Sequence, residues 1–173
     1  MAVLVWVTEV GWVAAVEGAL RHSDSSAELV LLHVVPGDLD EVPHGAMAGP
    51  FGGGREVDPV AALRRLAEQA GDKLLAAAGE RAGNRPVRLV WRRGRPEREV
   101  VAAAADADLL VLARDGDERE LGPGGLGRQV RYVLDHAPCP VLLVWPGDLP
   151  AGGPAGPPRH PQPPGHRPPH PPR

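Results

Sequence analysis

The chain has 173 residues, a net charge of −3, 21 prolines and one cysteine. Eleven of the prolines fall in the 27 residues 147–173, a stretch too rich in Pro and Gly to bury a core, so folding is left to the preceding 146 residues, the size of one domain. Those 146 residues carry 16 basic and 21 acidic side chains, which argues against a duplex nucleic-acid binder.

The opening segment, MAVLVWVTEV, has no basic n-region, no long apolar core and no small-residue cleavage site, and is not expected to act as a signal peptide. Its run 2–7 is short and rich in β-branched residues, the pattern of a strand buried on both faces. Val13, Val16 and Leu20 then recur at helical spacing until Ser23, Asp24 and Ser25 stop the helix. Residues 29–35, LVLLHVV, form a second strand closed by Pro36 and Gly37. Residues 38–55, rich in Gly and Pro, read as a mobile surface loop.

Asp58 offers an N-cap and Pro59 a first helical position for a helix reaching about Arg81, with Leu63, Leu66, Ala70, Leu74 and Ala77 as its apolar stripe. A third strand spans 87–91, and Gly94, Arg95 and Pro96 turn the chain into a helix carrying Val100, Val101 and Ala104. Residues 109–112 are the fourth strand. A Gly-rich loop over 114–127 leads to a helix with Val130, Val133 and Leu134, and the last strand, VLLVW, lies between Pro140 and Pro146.

Five apolar strands alternating with four crossover helices specify a parallel sheet with helices on both faces. In such α/β sheets ligands sit outside the carboxyl ends of the strands, where the strand order reverses. The segments to inspect are therefore 8–11, 35–36 and 113–128. No apolar run approaches the 18 residues of a membrane span, and Cys139, the single cysteine, excludes an internal disulfide framework and a multi-thiolate zinc site. The chain is expected in the cytoplasm. With Lys73 its only lysine and no G-x-x-x-x-G-K-[ST], a Walker-type phosphate site is excluded.

VLVWVTE, ELVLLHVVP, GRPEREV, DADLLVLAR and above all HAPCPVLLV, residues 136–144, together resemble the universal stress proteins over nearly all of 2–146. The resemblance implies a cytoplasmic Rossmann-like domain with a five-stranded sheet of order 3-2-1-4-5, paired as a homodimer through the last strand, Val141, Leu142, Leu143, Val144 and Trp145. It also implies a stress-response role. One branch of the family binds ATP, with an aspartate after the first strand and a G-x2-G-x9-G-[ST] loop around ribose and phosphates; another branch does not. Backbone N–H groups of such a loop and of a helix N-terminus must approach phosphate closely.

The present sequence departs from that motif in four ways. Thr8 stands in place of the aspartate, Ala113 in place of the first glycine and Arg128 in place of the serine or threonine, and ten residues rather than nine separate Gly116 from Gly127. A hydrogen bond to a charged acceptor is worth about 1.5–3 kcal/mol and one to a neutral acceptor about 0.5–1.5, so Thr8 alone could cost tenfold in affinity. Asp115, Asp117, Glu118 and Glu120 would repel a triphosphate. Arg128 could pair with phosphates or crowd them. The loop's glycines serve either as a ligand cradle or as a flexible connection. An adenine nucleotide, if held, would lie against Thr8, Val35, Leu112, Ala113, Gly116, Gly127 and Arg128.

No paired general acid and base stands out, so a non-enzymatic regulatory factor with weak or absent ATP binding is expected. The alternatives are an ATP-binding member whose occupancy or slow hydrolysis switches a partner, and a relative of the adenylating α/β enzymes, whose phosphate signature is missing at 8–11. Cys139 is expected to be an inert thiol despite His136 three residues away, and His33 a satisfied core histidine. In the tail, taken as disordered, His160, His166 and His170 are read as incidental rather than as a metal site. Pro161 and Pro164 with Arg159 offer a P-x-x-P ligand for a protein partner.

Overall fold

The computed structural model describes residues 1–37, 59–115 and 126–146. Strands and helices alternate: β1 (Ala2–Trp6), α1 (Trp12–His22), β2 (Glu28–Pro36), α2 (Pro59–Ala82), β3 (Val87–Gly94), α3 (Pro96–Ala104), β4 (Leu109–Ala113), α4 (Arg128–His136) and β5 (Val141–Val144). The five strands form one parallel sheet, as their pattern predicts, in the order β3-β2-β1-β4-β5 that the family resemblance implies. The loop at 38–55, the Asp58 cap, Gly116 and the tail at 147–173 lie outside the described residues.

The unbroken apolar strands are explained by burial on both faces. Side chains alternate across a strand. Val3, Val5 and Val7 therefore meet Ala15, Val16 and Ala19 of α1 and Leu75, Ala78 and Ala82 of α2. Leu4 and Trp6 meet Val100 and Ala104 of α3 and Val130 and Val133 of α4 on the opposite face. β1 lies at the centre, pairing from Ala2↔Glu28 to Trp6↔Leu32 on one side and from Val3↔Leu109 to Val5↔Val111 on the other.

The buried stripe of α2 differs from the one expected. It runs through Gly71, Leu75, Ala78 and Ala82, while Leu63 and Leu66 are 57% and 61% exposed. Two helical stripes compete in this Ala- and Leu-rich sequence, and close approach to the sheet selects the one with small residues. A Cβ on Gly71 would fall 2.7 Å from His33 Cδ2, which shows how near α2 passes to β2. On the same face of the sheet, across β1, a Cβ on Gly18 would fall 2.7 Å from Val144 Cγ1, so α1 is seated tightly over β5.

The two sheet edges differ in character. β3 extends past the predicted Trp91 to Gly94, and its arginines are paired: Arg88 with Glu28 at 3.2 Å, Arg92 with Glu99 at 3.4 Å, and Arg93 with Glu68. Charged side chains along an edge strand oppose pairing with another chain. β5 carries no charge, and each of its four residues is half-buried. No described helix is long and apolar enough to cross a membrane.

Candidate functional site

At the carboxyl end of the sheet, β1 hands over to a tight turn. The Val7 N–H still bonds the Leu32 carbonyl at 2.8 Å, and Gly11 then adopts φ +86° and accepts the first helical bond of α1 from Ala15 at 3.0 Å. That left-handed conformation suits glycine. Within the turn the Thr8 hydroxyl donates to the Val10 carbonyl. Thr8 therefore spends its donor on the backbone and offers only its oxygen to a ligand.

β4 ends beside this turn. The Arg114 N–H bonds the Val144 carbonyl at 2.8 Å; the residue is buried, 6% exposed, and its guanidinium carbon lies 4.2 Å from the centre of the Trp145 ring. Asp115 follows and reaches the start of α4. Its Oδ1 accepts the Gly127 N–H at 3.0 Å, and its own carbonyl lies 3.2 Å from the same nitrogen. A Cβ on Gly127 would fall 2.2 Å from Asp115 Oδ2, so any side chain there would displace the Asp115 carboxylate from its place. Burial pushes the Asp115 carboxyl up from its ordinary pKa, against a smaller lowering by the Gly127 N–H.

Between these segments lies a cavity of about 640 Å³. Trp6, Val7, Thr8, Glu9 and Val10 form one wall, and His33, Val34, Val35 and Pro36 at the end of β2 form the next. α2 contributes Ala67, Ala70, Gly71 and Leu74, α3 contributes Pro96, and Ala113, Asp115, Gln129 and Val130 complete the lining. The cavity opens where the chain, having wound from β1 to β3 on one side, crosses to β4 on the other. That switch point is the expected ligand position for an open α/β sheet.

The family model that matches the chain is that of the universal stress proteins, over residues 8–144. The chain belongs to this family. Among solved structures the fold is similar to that of universal stress protein UspA from Lactobacillus plantarum, at 24% identity and a TM-score of 0.53 over 83% of this chain and 97% of that one. It is also similar to a universal stress protein from Arabidopsis thaliana with AMP bound, at 20% identity and TM-score 0.56, covering 84% and 91% of the two chains. A third similar structure is a universal stress protein in complex with cAMP, at 18% identity and TM-score 0.57, covering 83% and 96%. No curated protein matches the sequence at a significant level.

Of the site residues expected for a universal stress protein, Thr8, Val35 and Ala113 line the cavity, and Gly127 stands behind Asp115 at its rim. Leu112 does not line it: β-strand alternation turns this side chain into the core under α3 and α4. Arg128 does not line it either, being an exposed first residue of α4. Gly116 is outside the described residues.

Sequence reasoning missed His33, Gln129 and the α2 wall. His33 is satisfied, as expected, but on one nitrogen only. Its Nδ1 lies 2.9 Å from the Val7 carbonyl, and because a carbonyl can only accept, Nδ1 carries the hydrogen, leaving Nε2 as an acceptor in the neutral ring. The sequence signal for His33 is one polar residue at the carboxyl end of an otherwise apolar strand. For Ala67, Ala70 and Gly71 no such signal exists. Among the described residues, no group of three His, Cys, Asp or Glu side chains is placed to hold a metal.

Proposed function

We propose that this universal stress protein is a non-enzymatic regulatory factor that holds an adenine-type ligand weakly in the switch-point cavity and pairs as a homodimer through β5. The observation that carries the reading is the cavity itself. It has apolar walls from Val7, Val34, Val35, Ala70, Leu74 and Ala113, with the Thr8 oxygen, the His33 ring and Gln129 as its few neutral polar groups. Apolar walls with sparse polar groups suit a planar heterocycle. The AMP and cAMP held by two proteins of similar fold support an adenine-type occupant.

Support for a non-catalytic role comes from the described lining. The Thr8 hydroxyl donates to a backbone carbonyl rather than to a base, so it is not activated as a nucleophile. The His33 Nδ1 hydrogen is committed to Val7, and the two carboxylates, Glu9 and Asp115, leave no described cation in the lining to steady a transferring phosphoryl group. The contrast between a charged β3 edge and an apolar β5 edge favours β5 as the strand that a second copy covers.

The test is calorimetric titration of the full chain with adenosine, AMP, cAMP and ATP, with Trp6 in the cavity wall as a fluorescence reporter. Saturable binding of at least one of these with Kd of about 0.1–1 mM, abolished by Ala70→Trp, is expected, with no nucleotide hydrolysis above the buffer rate. Absence of binding by all four at about 10 mM would sink the reading.

A further inference from the structure

Among the described residues that line the cavity there are two carboxylates, Glu9 and Asp115, and no arginine or lysine. Glu9 is exposed to solvent. Asp115 is held in place: its Oδ1 accepts the Gly127 N–H at 3.0 Å, at the point where α4 begins. The unpaired N–H groups and the dipole of a helix start attract an anion, and a carboxylate of the chain itself already meets that demand. Its second oxygen fills the space directly over Gly127, where an added Cβ would come within 2.2 Å. The neighbouring Arg114 guanidinium lies over the Trp145 ring and outside the cavity wall; its charge acts on Asp115 as the smallest of the influences on that carboxyl, behind burial.

We propose that Asp115 acts as a built-in anion that sets the charge preference of this cavity, so that it takes an uncharged nucleoside in preference to a phosphorylated nucleotide. A phosphate brought to the start of α4 would meet a carboxylate already bonded to the amide it needs, and would add a like charge in partly desolvated surroundings. A nucleoside carries no charge to that point and can use the apolar walls, the His33 ring and Gln129. The half-burial that raises the Asp115 pKa is consistent with a carboxylate poorly screened by water. The proposal rests on the reading that the cavity holds an adenine-type ligand and adds which chemical form it selects.

The experiment compares the full-length chain with its Asp115→Asn variant, each titrated with adenosine, AMP and ATP at neutral pH and low salt. Expected for the wild-type chain is adenosine binding at least about tenfold tighter than AMP, with ATP weaker still. In Asp115→Asn the ratio of AMP to adenosine affinity is expected to rise by about tenfold or more. If the Asn variant does not fold, Asp115→Ser removes the same charge and serves the same comparison. Wild-type protein that binds AMP or ATP as tightly as adenosine, or an affinity ratio unmoved by both substitutions, overturns the role of Asp115 while leaving the adenine-type ligand in place. Failure of all three ligands to bind any of the proteins overturns both.

Discussion

Gly11 and Ala113 touch across the point where the strand order reverses: a Cβ on Gly11 would fall 2.5 Å from the Ala113 Cβ. The turn after β1 and the end of β4 are thereby locked together, and the cavity rim depends on both. Ala113, which stands in place of the motif's first glycine, lines the cavity and fits its methyl against Gly11.

This contact gives a first prediction. Gly11→Ala combines a φ of +86°, costing about 1–2 kcal/mol for a residue with a Cβ, with overpacking worth about 1–3 kcal/mol. A loss of about 2–5 kcal/mol in urea unfolding is expected. Adding Ala113→Gly should recover the steric share and leave the backbone share, a non-additive double-mutant cycle. Strict additivity of the two substitutions would show that the residues are not in contact.

The raised pKa of Asp115 sets a pH dependence. The folded chain binds this proton more tightly than the unfolded chain, so the contribution is fully present below the ordinary carboxyl value of 3.8 and is lost as pH rises through the raised folded value. Relative to Asp115→Asn, the wild-type chain should therefore lose stability as pH rises through that window and stay level above it. Paired denaturation curves from acid to neutral pH measure this. A wild-type chain that gains on the variant with rising pH would mean that the bond to Gly127 outweighs burial.

Cys139 is half-buried, and burial, reinforced by the nearby Asp108 charge, pushes its thiol up from its ordinary pKa against a lowering by the Leu110 N–H. Thiolate is the reactive form. Alkylation of the native protein at pH 7–8 should be slower than that of an unfolded control by about tenfold or more, and the two rates should converge in denaturant. Equal rates under native conditions would contradict the expectation of an inert thiol.

The proposed dimer can be tested on its edge. The carbonyls of Pro140 and Val144 accept from Leu110 and Arg114, so by strand alternation those of β5 residues 141 and 143 face away from β4. Leu143→Pro removes an outward N–H and should shift the full chain from dimer to monomer in sedimentation, with circular dichroism retained. A wild-type chain that sediments as a monomer at about 100 μM, or a variant that remains dimeric, would count against β5 as the interface.

How far the sequence could be read depended on the kind of signal. Short apolar runs marked each strand, those of β2, β3 and β5 bounded by Pro or Gly, and their continuity implied helices on both faces, because only double burial makes alternating polar positions unnecessary. The α2 stripe was misjudged because Leu63 and Leu66 are as apolar as Leu75, and no local property says which helical face meets the sheet. Thr8, Val35 and Ala113 were traceable because they lie at strand ends, which topology alone directs toward one rim. Leu112, one step of the strand period from Ala113, packs into the core instead of the cavity wall, and Arg128 is exposed at the start of α4.

The sequence by itself determined the order of strands and helices, the family, and the rim where a ligand would sit, since these follow from periodicity, turn chemistry and recurrent motifs along the chain. Only the tertiary structure decided what the site contains. Asp115 on the Gly127 amide, His33 beside Gly71 and Ala113 against Gly11 join residues separated by 12, 38 and 102 positions. Such pairs are fixed by how closely packed elements approach one another, and no local pattern in the chain encodes that distance.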